Sequence, residues 1–483
     1  MPRPLRIAAL QPRTFEAAEH ARGWEALLAR VDQAIGGHAL LVLPEAAVPG
    51  WALLSREAAA ALSLPSESAW TGPLAERARR AGCAIAAGIV STDADGALRN
   101  ELVLFGPDGR EVARAGERDA FGWFTPGRGP VVAEIEGVRI GLVVGRDLAR
   151  RGLIRDLAGA QLLIAAAAPR GAGRGLANDA SVESDLLESR AALLGAWAIV
   201  GGKAGSEGGI VRYAGSAGVI DPAGQWSVRA PAGESGVVST EIDLEAPPGP
   251  AIDVAGLPPD SVARSPGEPF RGEVAAVAFD ARPSAVESME RVRALVHGAV
   301  TAGARLVVLP DLAGTDPRAV TATETLPFLE ALSADCGATI FAGLAERAEG
   351  LTYKSAYAIE DGRVIAAHRQ SVLDRDERAA GFHAGEDAPS TVRTRYGLVG
   401  LLCGAEGLVL PAPSGAGITA WCAGDAAAPV AGAARAIAIE DGVAVAAAGS
   451  ASRAGGAFVV DAAGRILAAT PPGEASVATA RLL

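Results

Sequence analysis

The run Leu40-Leu41-Val42-Leu43-Pro44-Glu45 returns 266 residues later as Leu306-Val307-Val308-Leu309-Pro310-Asp311, each time an apolar strand pattern closed by a proline and an acid. Ahead of it stand Ile7-Ala8-Ala9-Leu10 and Val274-Ala275-Ala276-Val277. After it come Gly141-Leu142-Val143-Val144-Gly145-Arg146-Asp147 and Gly400-Leu401-Leu402-Cys403-Gly404-Ala405-Glu406. The offset shrinks from 266 at Glu45/Asp311 to 259 at Gly145/Gly404, a drift that loop trimming explains. One unit is therefore written twice, and two folded domains of one kind follow. We place the first at residues 1–246, a linker dense in Pro and Gly at 247–270, and a shorter, more diverged second copy at 271–483.

Within each copy, strand and helix patterns alternate. Ala84 to Val90 and Leu162 to Ala168 are short apolar runs of the kind that form buried strands. Amphipathic segments lie between such runs: Trp24 to Ile35 and Met289 to Ala302 after the first strand of each copy, then Leu74 to Ala81 and Leu326 to Ala334. Asp108-Gly109-Arg110 and Asp361-Gly362-Arg363 read as hairpin turns, as do Asp221-Pro222-Ala223-Gly224 and Asp461-Ala462-Ala463-Gly464 near the end of each copy. Helix-strand alternation with hairpins predicts a layered α/β unit with mixed sheets.

Composition narrows the function classes. The chain has 483 residues, enough for two cores, with 49% apolar and 21% charged residues, ordinary for a soluble globular protein. A net charge of -12 argues against a nucleic-acid partner, which would need a concentrated Lys/Arg surface. No apolar run is long enough to span a bilayer and the opening residues do not read as a signal peptide, so a cytoplasmic protein without membrane contact is expected. Cys83, Cys336, Cys403 and Cys422 have no close pairing, and His20, His38, His297, His368 and His383 are scattered; no disulfide framework, metal site or His-based triad is indicated. No glycine-rich phosphate loop is found, and no cofactor is expected.

The order of landmarks resembles the nitrilase superfamily of carbon-nitrogen hydrolases. The strings that carry the resemblance are Leu43-Pro44-Glu45-Ala46-Ala47-Val48-Pro49-Gly50-Trp51, Phe124-Thr125-Pro126-Gly127 and Gly145-Arg146-Asp147, and their order recurs in the second copy. The resemblance implies two tandem αββα sandwich domains, paired with each other as an internal pseudo-dimer. It also implies a mechanism in which a Cys thiolate attacks an amide or nitrile carbon, a Glu moves the protons and a Lys faces the developing negative charge.

Carried over residue by residue, these roles fall on unusual side chains. Glu45 takes the general-base position, with Asp311 as its counterpart. Aligning the two Asp-Gly turns puts Glu117 and Gln370 at the Lys position, and Arg118 is the nearest cation in sequence. Gly145 and Gly404 stand at the Cys position, followed by Asp147 and Glu406, acids that commonly hold a turn. Cys403 is the one thiol beside a nucleophile position, but a one-residue slip on a strand turns it to the other face. Phe121, Trp123 and Phe124 form an aromatic group near Glu117 that either lines a pocket or packs the loop.

The expected function is a tandem carbon-nitrogen hydrolase-like protein without Cys-Glu-Lys activity, serving a binding, regulatory or structural role, with a small amide, nitrile or carboxylate as ligand. The alternative is an active amidase- or nitrilase-type enzyme working through Cys403, or through water activated by Glu45, Glu117 and Asp147. A third reading keeps a ligand pocket around Glu45 in the first copy and makes the second purely structural.

Overall fold

The repeated apolar runs become the parallel centres of four six-stranded sheets, two in each of two units, Met1–Pro250 and Ala251–Leu483. The computed structural model describes residues 4–15, 19–47, 50, 70–92, 96–120, 124–167, 170–171, 181–207, 211–244, 252, 257, 267–280, 285–313, 321–425, 428–451 and 456–483. In the first unit one sheet runs, edge to edge, Gly236–Asp243, Pro4–Gln11, Leu40–Val42, Ala84–Thr92, Leu98–Phe105 and Glu111–Gly116. The other runs Trp226–Arg229, Gly218–Ile220, Trp197–Gly201, Leu162–Ala166, Val138–Val144 and Val131–Ile135. The three central strands of each sheet are parallel and the flanking ones antiparallel.

The second unit repeats both orders strand for strand. Its first sheet is Ser476–Leu482, Gly272–Ala278, Leu306–Asp311, Thr339–Ala348, Leu351–Glu360 and Arg363–Arg369; its second is Ile466–Ala469, Ala457–Val460, Ala444–Gly449, Ile418–Gly424, Gly397–Cys403 and Thr391–Thr394. Register repeats as well. Leu40 faces Ala84 as Leu306 faces Thr339, and Ile140 faces Leu162 as Val399 faces Ile418.

Alternation along each strand builds the layers. Ile7, Ala9, Leu40, Val42 and Ala86 of one sheet meet Leu142, Val144, Ile164 and Ile199 of the other between the sheets. Ala8, Leu10, Leu41, Leu43 and Ile85 point the opposite way, onto Trp24, Leu27, Val31, Leu74 and Ala78 of the helices His20–Ala34 and Thr71–Ala81. The helix Ser181–Leu194 covers the outer face of the second sheet. This is the αββα order, and the second unit builds it with Ala285–Thr301, Ala322–Cys336 and Val430–Asp441. Strands buried on both faces carry no polar alternation, which is why they read as continuous apolar runs.

The four sequence-derived helices all form, each starting three to four residues earlier than the apolar periodicity suggests. Periodicity reports only the buried face, and the first turn of a helix is free to be polar. The Asp361-Gly362 turn joins Leu351–Glu360 to Arg363–Arg369 with φ of 51° and 74°, the left-handed pair of a tight hairpin. Asp221 and Asp461 serve their turns identically, each Oδ1 accepting two backbone N–H groups at 2.9 to 3.0 Å.

Some expectations need adjustment. Cys336 is the last residue of a helix, and Cys83 lies just before the strand Ala84–Thr92. The strand at 162 ends at Ala166, and Ala168 lies outside the described residues. Most of the linker at 247–270 also lies outside them, but Phe270 already packs in the second core and Gly267 N–H donates to the Ala416 carbonyl at 3.0 Å. The second unit therefore begins its packing before residue 271.

Candidate functional site

Parallel strands end together, so the residues just past their C-terminal ends converge. In the first unit Glu45 lies two residues beyond Leu43, on a turn where Ala46 has φ of +42° and Ala47 N–H donates to the Gly88 carbonyl at 2.8 Å. The turn crosses the neighbouring strand so closely that a Cβ on Gly88 would lie 2.5 Å from the Glu45 Cα; Gly343 stands in the same relation to Asp311, at 2.7 Å.

The strand Leu98–Phe105 sends the buried Asn100 to Glu45. Its Nδ2 donates to Glu45 Oε1 at 2.7 Å and to Glu117 Oε2 at 3.0 Å, so one amide bridges two carboxylates. Glu117 also accepts the Arg146 N–H at 2.8 Å. Burial, and then the charge of Glu45, push the Glu117 carboxyl up to about 7, against the pull of the Arg146 and Asn100 donors. Asp147 accepts the N–H groups of Arg118 at 2.8 Å and Asp119 at 3.0 Å, fastening the segment after Glu117 to the turn after Gly145.

Gly145 opens that turn, between the strand Val138–Val144 and a short 3-10 helix, with φ of +59°. The left-handed conformation costs glycine little. A Cβ built on Gly145 would lie 2.2 Å from Glu117 Oε1, so the Glu117 carboxylate occupies the space in which any side chain at 145 would begin. Arg118, the nearest cation in sequence, is not in the cluster: its guanidinium is 3.6 Å from Asp156. Lys203 touches the same turn at its backbone, donating to the Ala46 carbonyl at 2.7 Å and pairing with Glu207 at 3.1 Å.

The second unit fills the same frame with different chemistry. Lys354 occupies the place of Asn100, facing Ala345 as Asn100 faces Val90. Its Nζ lies 2.6 Å from Asp311 Oδ2 and 2.9 Å from Glu377 Oε1. Burial opposes the ammonium, but the Asp311 and Glu377 charges more than offset it and raise the Lys354 pKa. Gln370 Nε2 donates to Glu377 Oε2 and to the Val372 carbonyl, both at 2.7 Å. Gln370 Oε1 lies 2.2 Å from where a Cβ on Gly404 would stand, and Gly404 has φ of +49°. Glu406 accepts from Ser371 N–H at 2.7 Å and Cys403 N–H at 3.0 Å and lies 2.9 Å from His368 Nε2; this histidine, scattered in sequence, is part of the cluster in space.

The thiols do not enter either site. Cys403 and Cys422 are fully buried among Val399, Leu401 and Val459 between the sheets. Burial, and then the Asp311 charge, hold the Cys403 thiol well above its ordinary pKa, and burial lifts Cys83 to about 12. Phe124 packs on Ala46, Val90 and Leu98, whereas Phe121, Trp123, Val48, Pro49 and Trp51 lie outside the described residues. Among the described residues no group of three or more His, Cys, Asp or Glu side chains is arranged to hold a metal ion, and no helix is long and apolar enough to cross a membrane.

Sequence reasoning missed Asn100, Lys203, Lys354 and Glu377. Asn100 and Lys354 sit in strands that carry other polar residues, Arg99 and Glu101 in one and Thr352 and Ser355 in the other, so no local signal singled them out. For Glu377 the signal was the Asp374-Arg375-Asp376-Glu377 capping box, whose two reciprocal bonds are both formed at 2.8 Å.

The family model for carbon-nitrogen hydrolases matches residues 6–246 and again 273–482, and the chain belongs to that family. A hydrolase of Mycobacterium tuberculosis strain H37Rv and its counterpart in strain CDC 1551 are each 36% identical over 123 residues, covering 23% of this chain and 44% of theirs. The chain thus spans less than half the length of these curated relatives. Among solved structures, a double mutant of the amidase from Nesterenkonia sp. AN1 in complex with acrylamide is 25% identical, covering 50% of this chain and 92% of that one, with a TM-score of 0.43. A superfamily protein from Xanthomonas campestris with an arsenic adduct in its active site is 24% identical, covering 50% and 91%, also at 0.43.

Proposed function

We propose that neither copy runs Cys-Glu-Lys hydrolysis and that the chain serves a binding, regulatory or structural role on a hydrolase scaffold. The observation that carries this reading is the filled nucleophile position. A covalent step needs a nucleophilic atom, and glycine has none. At both glycines the side chain from the expected lysine position lies 2.2 Å from the missing Cβ, so loss of the nucleophile and occupation of its space go together in both copies. The inward burial of Cys403 supports the same reading, because a thiol held protonated between two sheets is a poor nucleophile.

The test is ammonia release from a panel of small amides and nitriles by the purified chain beside Glu45→Ala and Cys403→Ala. No release above the variants is expected. Release abolished by Cys403→Ala would overturn the proposal.

One observation favours a second reading, an active hydrolase of a small amide or nitrile. Glu117, half protonated near neutral pH beside Glu45, is an acid-base pair able to activate water. It predicts a rate that changes with pH near 7 and loses that dependence in Glu117→Gln. Without a metal or covalent step much of the barrier is left uncovered, which ranks this reading second. A cytoplasmic location and internal pairing of the two units are retained as proposals, supported by four free cysteines and by the repeat respectively.

A further inference from the structure

We infer that the first unit carries a binding site for a small monocarboxylate with an apolar body, abutting the Glu45 turn but built from other residues. A cavity of about 250 Å³ lies between the chain after the first strand, the helix His20–Ala34 and the residues following Trp197–Gly201. Three cationic side chains from three segments line it: Arg13, Arg30 and Lys203. Among the described residues that line it none is acidic, and no described carboxylate pairs with Arg13 or Arg30.

Lys203 is the anchor. It is 3% exposed, and its ammonium has three protons. Hydrogen bonds to the Ala46 carbonyl and Glu207 Oε1, with the Tyr213 ring 5.0 Å from Nζ, hold the ammonium at the wall of the cavity it lines. The Glu207 carboxylate also accepts from Thr14 and from Tyr213, at 2.9 Å in the latter case, so the lysine's position is fixed by its partners rather than by a ligand. Arg13 is positioned too, since Thr14 N–H donates to the Ala204 carbonyl at 2.8 Å and Ala204 N–H to the Pro12 carbonyl at 3.0 Å.

The remaining wall decides the ligand class. Phe15, whose ring lies directly on Gly23, together with Leu27 and Ala47 presents hydrocarbon. A phosphate bound at the cationic rim would leave oxygens facing that hydrocarbon unsolvated. A carboxylate with a ring or branched alkyl body matches both halves, and the volume exceeds the ~150 Å³ cavity that admits a benzene ring. Counting two residues on from Gly201↔Ala166 and from Ala448↔Cys422 puts Ser450 at the position that Lys203 has in the first unit, and its hydroxyl is bonded to Asp280.

Isothermal titration of the full chain with benzoate, benzyl alcohol and inorganic phosphate tests the assignment. Benzoate is expected to bind at least about tenfold more tightly than the neutral alcohol, and to lose about tenfold or more in the exposed pair Arg13→Gln/Arg30→Gln. Ala26→Phe, which fills the cavity from the exposed face of the helix, should abolish binding, while Glu117→Gln should not alter it. No benzoate binding up to about 10 mM, benzoate binding that survives Ala26→Phe, or phosphate binding tighter than benzoate would each overturn the proposal. The measurement reads binding alone, so its failure is distinct from that of the hydrolysis reading.

Discussion

The first unit joins Glu45 to Glu117 through Asn100, a neutral amide, whereas the second joins Asp311 to Glu377 through Lys354, a cation. The positions are equivalent in register, and the backbone bond from residue 117 to residue 100 is reproduced from 370 to 354 at 2.9 and 2.8 Å. One frame thus bridges its two acids with a neutral amide, and the other bridges two acids with a single ammonium, with the neutral Gln370 beside them. A buried charge is tolerated when it is paired and becomes a source of perturbed protonation when it is not. In the second unit burial still raises the Glu377 carboxyl although the Lys354 charge pulls it down, and in the first burial and then the Glu45 charge push the Glu117 carboxyl up to about 7.

The comparison is broken most forcefully by removing the cation. Lys354→Met should cost the second unit about 3–5 kcal/mol, because Asp311 and Glu377 are left buried and unpaired. Denaturant unfolding checks this, and the double variant Lys354→Met/Glu377→Met should recover part of the loss.

Next comes the first unit's acid. Folding raises the Glu117 carboxyl from its ordinary 4.5 to about 7, so between these values the folded state holds a proton that the unfolded chain releases. Stability linked to Glu117 is therefore fully present below pH 4.5 and is lost as pH rises through 7, by at most about 3 kcal/mol. Glu117→Gln, the residue type the second unit uses, should stabilise the protein at pH 8 by about 1–3 kcal/mol and flatten the dependence between pH 5 and 8. A steeper dependence in the variant would refute this account of Glu117.

A smaller effect sharpens the shared feature of the two sites. Gly145→Ala should destabilise by roughly 1–3 kcal/mol, through the left-handed backbone and the encounter with Glu117 Oε1. Adding Glu117→Ala should relieve the second part, giving a coupling above about 0.5 kcal/mol in a double-mutant cycle. The smallest expected signal is in the thiols. Iodoacetamide should label the half-buried Cys336 well before Cys403 in the native chain, and rapid labelling of Cys403 would place it outside the core assigned to it.

Much of this was legible in the residues. Leu40 to Leu43 and Leu306 to Leu309 declare buried parallel strands, and Asp361-Gly362 declares a tight turn, because both signals are local and periodic. The helix starts were not legible at His20 or Thr71, since a polar first turn leaves no periodic trace. Glu45 and Gly145 were found from their order along the chain. Asn100 and Lys354 were passed over because one polar residue among several in a strand does not say which neighbour it will meet.

The sequence by itself determined two copies of one layered unit, a glycine after the strand at residues 145 and 404, and the acid that ends each central strand. Only the tertiary structure decided what lies against them. The side chain against each of these glycines comes from 28 or 34 residues earlier, and the partner of each strand-end acid comes from a strand 55 or 43 residues away. Hydrogen bonding, burial and charge pairing depend on distances between strands, and those distances exist only once the sheets have been paired and packed.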